Sequence, residues 1–338
     1  MSARILKAGK LPADLLAVLL ADLESSDPAV VVGPRVGEDA AVLSLGGGYL
    51  VAATDPITFA SDDIGWYAVH VNANDVAACG ATPRWFLATV LLPENSTDVL
   101  ARRVLEQIHS TAESLNVSVV GGHTEITVGL DRPIVVGQML GLANQQTLLK
   151  TGGARPGDVL LLSKSIALEG TALLAREKAE SVREQLGDER LAEAQSLLHS
   201  PGISVVPEAS LACGTDVVTA MHDPTEGGLV NSVLEMAEAS GTGVRLYQDR
   251  IPIHPLCRSI CAELRVDPLG LIASGALLMA VSADGVDDIM SVFDAASTAL
   301  TIIGEVVNAE HGCTFVSEDG TVTDMPKFER DEIARILS

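Results

Sequence analysis

Apolar residues occur in short blocks along the chain, and glycine, proline and charged residues punctuate them. Ala41–Leu45 and Tyr49–Thr54 are apolar runs separated by Gly46-Gly47-Gly48, which predicts a β-hairpin. A helix is expected from about Asp62 to Cys79, ended by Gly80, and another from about Thr97 to Leu115. In the second, Val104, Leu105, Ile108, Ala112 and Leu115 fall on one inner face. Val117–Val120, Ile134–Leu142 and Val159–Ser163 read as strands. Helical stretches follow to about Ala212, then a strand at Val217–Met221, a glycine-rich turn at Asp223–Gly228 and a helix at Leu229–Ser240. Ala276–Val281, Thr301–Val307 and the residues around Thr314-Phe315-Val316 complete the expected strands. Near the start, Leu15, Leu16, Leu19, Leu20 and Leu23 follow helical spacing. Pro12 precedes them, and Asp14 and Asp22 bracket them. That pattern is an amphipathic helix rather than a signal peptide, although Arg4, Lys7 and Lys10 lie ahead of it.

The fold class is therefore mixed α/β (α+β). At 338 residues the chain suits two domains. Thr151–Asp158, a cluster of helix and strand breakers, is the expected boundary, giving domains of 1–150 and 151–338. Aromatic residues are only 3% while apolar residues reach 47%, so the core must be built from Ala, Val, Leu and Ile. Acids outnumber bases by 45 to 22, a formal charge of −23, which excludes nucleic acid and anionic membrane as main partners. No apolar run approaches the roughly 18 residues of a membrane helix. An acidic chain can still bind polyphosphate when Mg²⁺ bridges carboxylates to phosphate oxygens. The five cysteines form no CxxC pair, and Cys257 and Cys261 share a face if helical. Reduced thiols and a cytoplasmic location are expected.

Four segments carry candidate chemistry. If the hairpin loop is Gly46–Gly48, then Leu45 faces Tyr49, Leu43 faces Val51 and Ala41 faces Ala53. Continuing that register sets Asp39 opposite Asp55. Two facing carboxylates repel unless a cation lies between them. The alternatives are two solvated strand-end acids, or a register slipped by one residue. On the Asp62–Cys79 helix, Asp75 falls within the stripe of Ile64, Ala68, Val71 and Cys79, with Asn72 and Asn74 nearby. A carboxylate there must be paired or coordinated. Val120-Gly121-Gly122-His123-Thr124-Glu125 reads as a strand ending in glycines that let a backbone approach a ligand, or as an ordinary turn. Asp223-Pro224-Thr225-Glu226-Gly227-Gly228 leads into a helix whose first N–H groups can hold an anion, unless Asp223 or Thr225 simply caps it.

Taken in order, Gly37-Glu38-Asp39-Ala40-Ala41-Val42, Thr54-Asp55, Ile64-Gly65-Trp66, Asn72 through Asp75 to Pro83, and Val120 through Glu125 resemble the PurM superfamily. That group includes aminoimidazole ribonucleotide synthetase, thiamin-monophosphate kinase, selenophosphate synthetase and the HypE hydrogenase-maturation proteins. Gly157-Asp158-Val-Leu-Leu-Leu-Ser163, Asp223 through Leu229, Ile251-Pro-Ile-His-Pro255 and Ile303-Gly-Glu-Val306 are similar to HypE in particular. The resemblance implies an N-terminal sheet domain that forms a homodimer, a C-terminal α/β domain, and Mg-ATP in the cleft. Carried over by motif, Asp39, Asp55, Asp75 and Asp223 hold Mg²⁺, and Gly121, Gly122, His123, Thr124, Glu125 and Thr225 meet the nucleotide. The implied activity is phosphoryl transfer from ATP onto an oxygen of a small acceptor, with thiamin-monophosphate kinase, or a non-catalytic nucleotide-binding maturation partner, as the alternatives. A maturation partner protein is implied as well.

The chain also departs from HypE. His123 stands where HypE and thiamin-monophosphate kinase carry Asp, and Lys7-Ala8-Gly9-Lys10 replaces a glycine-rich start. Near Glu169-Gly170 the HypE-like Asp-His-Gly pattern is absent, and the sequence ends Ala334-Arg335-Ile336-Leu337-Ser338 where HypE carries a terminal cysteine. The expectation is a HypE-like protein with a different acceptor, one that gains neither a carbamoyl nor a cyano group.

Overall fold

The computed structural model describes residues 6, 9–23, 25–58, 60 and 62–337. Ser338, Arg4 and Lys7 lie outside them. The chain divides into two compact units, and the break along the sequence falls at Leu148/Leu149. The N-terminal unit comprises Ser25–Gly33 and Asp39–Leu148. The C-terminal unit comprises Leu149–Ser338, Pro34–Glu38 and the described part of Met1–Glu24. The first helix, α1 (Ala13–Ala21), with Pro12 at its N-cap, therefore belongs with the C-terminal unit. Leu15, Leu16 and Leu20 turn partly inward, while Leu19 and Leu23 are exposed.

The N-terminal unit is one six-stranded sheet with two helices. Its elements are β1 (Val30–Val32), β2 (Ala41–Leu45), β3 (Gly48–Ile57), α2 (Ile64–Ala78), β4 (Thr82–Pro93), α3 (Asp98–Ser114), β5 (Ser118–Thr127) and β6 (Ile134–Ala143). The strand order is β1-β2-β3-β6-β4-β5. Among the described residues of this unit only the β4–β5 pair is parallel, and α3 makes its crossover. The expected hairpin forms with a register one residue away from the expectation: Leu45 pairs with Gly48, Leu43 with Leu50 and Ala41 with Ala52. The reason is the loop. Gly46 and Gly47 both take positive φ, 54° and 105°, and make a two-residue turn of the kind that matches strand twist. Asp39 and Asp55 are therefore not a facing pair.

The helix α2 is buried on every side rather than along one stripe. It packs on β3, β4 and β6, and α3 covers it. On α3 the Thr97 hydroxyl accepts from Leu100 N at 3.3 Å and caps the helix. Val104, Ile108, Thr111 and Ala112 form its buried face. Leu105, expected there, is exposed, and Thr111 takes the inward position.

The C-terminal unit adds β7 (Val159–Ser163), α4 (Leu168–Glu177), α5 (Ala179–Ser196), α6 (Val206–Cys213), β8 (Val218–His222), α7 (Gly228–Ser240), β9 (Thr242–Tyr247), α8 (Pro255–Leu264), β10 (Leu278–Val281), α9 (Val286–Ala295), β11 (Leu300–Asn308), β12 (Cys313–Val316), β13 (Val322–Asp324) and α10 (Glu332–Leu337). Its sheet runs β13-β12-β9-β11-β7-β10-β8, with β9 and β12 the parallel pair. The strands β7 and β10 lie inside it, and Leu160, Leu161, Leu162, Leu278, Met279 and Ala280 are fully buried. Cys257 and Cys261 are free thiols on α8 with sulfurs 3.8 Å apart. Among the described residues no helix is long and apolar enough to cross a membrane.

Candidate functional site

Asp55 lies on β3 in the row of Val51, Ala53 and Ile57, the face that α2 covers. It is half-buried in a row of otherwise buried residues. Asn72 on α2 reaches the main chain of Asp55 from the covered face, over Gly137 on the neighbouring strand β6. Its Oδ1 accepts from Asp55 N at 2.8 Å, and its Nδ2 donates to Asp55 O at 3.3 Å and to Ala68 O at 2.8 Å. Asn72 is thus a clamp on the main chain of Asp55. It reaches that position because Gly137, opposite Asp55 on β6, has no side chain: a Cβ there would lie 2.3 Å from Asn72 Nδ2. Asp75 follows Asn72 by one helical turn and is only 5% exposed. Asp39 is half-buried and stands two residues before β2.

The glycine run differs from its expectation. Gly121–Glu125 do not end a strand; they continue β5, because β4 pairs with it as far as Pro93 and Thr127. β5 is the sheet edge and is exposed on both faces. Alternation sends Gly121, His123 and Glu125 to one face, and Gly122 and Thr124 to the other. His123 Nε2 lies 3.2 Å from Glu125 Oε2, and Thr127 Oγ1 donates to Glu125 Oε1 at 2.8 Å. The Thr127 hydroxyl first, then His123, hold the Glu125 carboxyl below the usual carboxylate range. Register pairs Asp55 with Gly137, Gly137 with Ala88, and Ala88 with Gly122. The glycine run is thus three strand spacings from Asp55, about 14 Å across the sheet.

In the C-terminal unit, β8 delivers His222 and then Asp223, both buried. Neither Asp223 nor Thr225 caps α7. Its cap residue is Gly227, at φ 85°, and the Gly227 N–H donates to Asp331 Oδ2 at 2.6 Å. The Thr225 carbonyl accepts from Gly228 N at 3.1 Å and from Ala273 N at 3.3 Å. Around the turn runs a network that motif reading missed. Lys10 Nζ lies 3.3 Å from Thr225 Oγ1 and 3.6 Å from Glu235 Oε1, and Lys10 N donates to Glu226 Oε2 at 3.1 Å. Glu235 Oε2 is 3.1 Å from His222 Nε2. Burial pushes Glu235 up, and the His222 hydrogen bond with the Lys10 and His222 charges outweigh it, holding the carboxyl at about 2.

Two further acids sit beneath this turn. Glu169, near the start of α4, is 4% exposed, and among the described residues its Oε2 has no hydrogen-bond partner. Burial lifts its carboxyl to about 7. A Ser274 hydrogen bond opposes the lift, and the charges of Asp331 and Glu226 add to it. Burial likewise lifts Asp331 to about 6, against the N–H groups of Gly227, Ile333 and Ile272.

Two PurM-type layered units, each with acids at strand ends or beneath them, define a class that the comparisons settle. Residues 37–143 match the family described as "AIR synthase related protein, N-terminal domain", and residues 155–316 match its "C-terminal domain". The chain belongs to the AIR synthase related family, within the PurM superfamily. Within it, the chain is similar to the HypE hydrogenase-maturation proteins. It is 32% identical over 286 residues to "Carbamoyl dehydratase HypE" of Azotobacter vinelandii, covering 81% of this chain and 80% of that protein. The crystal structure of a HypE–HypF complex superposes with a TM-score of 0.74 at 23% identity, over 93% of this chain and 99% of that one. HypE in complex with ATP superposes at 0.69 with 22% identity, over 97% and 98%.

Proposed function

We propose that this chain is an ATP-utilising enzyme of the HypE type, which activates an oxygen of a small acceptor with the γ-phosphoryl group of Mg-ATP. The observation that carries this reading is the Asp55 clamp: a carboxylate on the core face of a strand, its main chain held at both polar atoms by Asn72. Asp75, buried one turn further along α2, stands on the same rigid frame. Carboxylates of this kind are a hard oxygen donor set, which suits Mg²⁺. In this reading Asp39, Asp55, Asp75 and Asp223 hold the ion. Gly121, Gly122, His123, Thr124, Glu125 and Thr225 meet the nucleotide. The ion supplies charge neutralisation on the phosphates. Asn72 orients Asp55, and Lys10 orients Thr225 and Glu235. A maturation partner of the kind HypE binds, and a cytoplasmic location, belong to the same reading.

The test is ADP release in the presence of Mg²⁺, screened against carbamoyl-bearing, thiamin phosphate and purine-precursor acceptors. One acceptor class is expected to stimulate turnover. Absence of any nucleotide binding by calorimetry overturns the reading. Turnover with thiamin phosphate alone assigns the kinase alternative.

A homodimer through the N-terminal sheet goes with this proposal. On the β5 edge, Val119, Val120 and Ile126 are 43%, 54% and 57% exposed, beside strand N–H and C=O groups that no neighbouring strand among the described residues takes. A second copy laid along this edge covers them. Light scattering is expected to read a dimer for the wild type and a monomer for Ile126→Lys. A monomeric wild type contradicts the proposal.

A further inference from the structure

The turn from Thr225 to Gly228 is built from residues that do not hold their own shape. Gly227 and Gly228 both take positive φ, 85° and 66°, so neither limits the backbone by its side chain. The helix that follows, α7, has no side-chain cap from its own segment. The missing cap comes from 104 residues away. Asp331, 4% exposed, accepts from Gly227 N at 2.6 Å through Oδ2. Through Oδ1 it accepts from Ile272 N at 3.2 Å and Ile333 N at 2.7 Å. One carboxylate therefore caps α7, caps α10 and ties both to the 271–275 loop. That loop is bound to the turn a second time, because Ala273 N donates to the Thr225 carbonyl at 3.3 Å.

The segment that carries Asp331 is itself fastened to α7. Asn231 Nδ2 donates to Phe328 O at 2.9 Å, and Asn231 Oδ1 accepts from Phe328 N at 3.2 Å. Phe328 fills the space over Gly270, where a Cβ would lie 2.4 Å from the ring. Glu332 Oε2 accepts from Asp267 N at 3.1 Å. The chain near its C-terminus is thus a strap across the start of α7. Its buried carboxylate supplies the charge that a helix N-terminus favours.

We infer that Asp331 is a positioning residue, whose carboxylate sets the Thr225–Gly228 turn and so governs how tightly the C-terminal unit holds a nucleotide. The inference rests on the reading that Asp223 holds the ion and Thr225 meets the nucleotide. Asp331 is placed to act through the backbone of Gly227 and Ile272. In Asp331→Asn the side chain keeps its shape but gives up the charge and turns a donor toward one of the backbone N–H groups.

Two readouts on the full chain separate positioning from plain structural support. Hydrogen exchange at 225–228 is expected to quicken in Asp331→Asn while the β7 amides, in the middle of the sheet, keep their protection. The Mg-ATP dissociation constant, or KM, is expected to rise about tenfold with kcat held within about twofold, ~1.4 kcal/mol of binding. Asn231→Ala, which loosens the strap but leaves the carboxylate, moves both readouts in the same direction by less. Unchanged exchange at 225–228 together with unchanged affinity overturns the inference, as does a fall in kcat with KM unchanged. If Asp331→Asn does not fold, Asn231→Ala decides by the same two criteria. If the wild type binds no Mg-ATP, the nucleotide reading fails, and exchange at 225–228 alone decides whether Asp331 braces the turn.

Discussion

Asp55 and the Thr225–Gly228 turn are both held by a side chain that grips the backbone, but the grips differ in origin. Asn72 reaches Asp55 from 17 residues further along the chain, on a helix buried on all sides. Asp331 reaches Gly227 across 104 residues, from a buried position in the strap that leads into α10. The first grip is part of the core, so it cannot be lost without loss of packing. The second joins two segments distant in sequence through hydrogen bonds to one buried carboxylate, so its loss is expected first in local order and ligand affinity. Rigid frames position a site at a cost in stability when they are cut. Straps position a site at a cost in binding.

The comparison breaks most visibly at Asn72. Asn72→Ala leaves the N–H and C=O of Asp55 without their partner beneath a packed helix, and opens space at a fully buried position. The expected loss is about 4 kcal/mol in urea unfolding of the N-terminal unit. A loss below about 1 kcal/mol removes the clamp from the account.

Glu169→Gln tests the C-terminal side. With its carboxyl lifted from 4.5 to about 7 by burial, Glu169 keeps its proton in the folded chain where the unfolded chain has released it. Its contribution to stability is fully present below the unfolded value. It declines as pH rises from there to about 7 and stays lost above. The shift corresponds to about 3 kcal/mol. Glutamine resembles the protonated acid, so the variant is expected to gain stability at pH 8 relative to the wild type and to flatten the slope between pH 5 and pH 8. A wild-type slope of the opposite sign contradicts this.

Gly137→Ala sharpens the first grip without touching Asn72. The new methyl meets Asn72 Nδ2 and the Phe86 ring, and costs about 2 kcal/mol. Lys10→Ala is the smallest change. Its ammonium is half-exposed, so removing its contacts to Glu235 and Thr225 costs under about 1 kcal/mol of stability. Equilibrium unfolding measures both.

What the sequence made legible follows the range of each interaction. The α2 and α3 boundaries, the hairpin and the strands at 134–143, 159–163 and 300–308 are set by local periodicity and breakers, and they were readable. β4, the longest strand, was not, because Phe86, Leu87, Ala88, Val90, Leu91 and Leu92 are apolar on both parities and hide the alternation. The hairpin register turned on whether the loop takes two glycines or three, which composition does not distinguish. Asp39, Asp55, Asp75 and Asp223 stand out in sequence because each is an acid in an apolar setting or a turn. Asn72 was visible as a polar neighbour, but its grip on Asp55 was not. The roles of Asp331 and Glu169 were not legible, because the Asp331 contacts outside its own segment lie 59 or more residues away and the partner of Glu169 is on a separate loop.

The claim most exposed to a single measurement is that the N-terminal carboxylates carry Mg-ATP. Isothermal titration of ATP into the wild type and into Asp75→Asn, with and without Mg²⁺, addresses it directly. The account predicts Mg²⁺-dependent binding to the wild type and none to Asp75→Asn, whose fold and melting temperature are retained because a neutral amide is easier to bury than a carboxylate. Equal Mg-ATP affinity in the two proteins contradicts it, and a marked fall in the stability of Asp75→Asn makes Asp75 a structural residue instead.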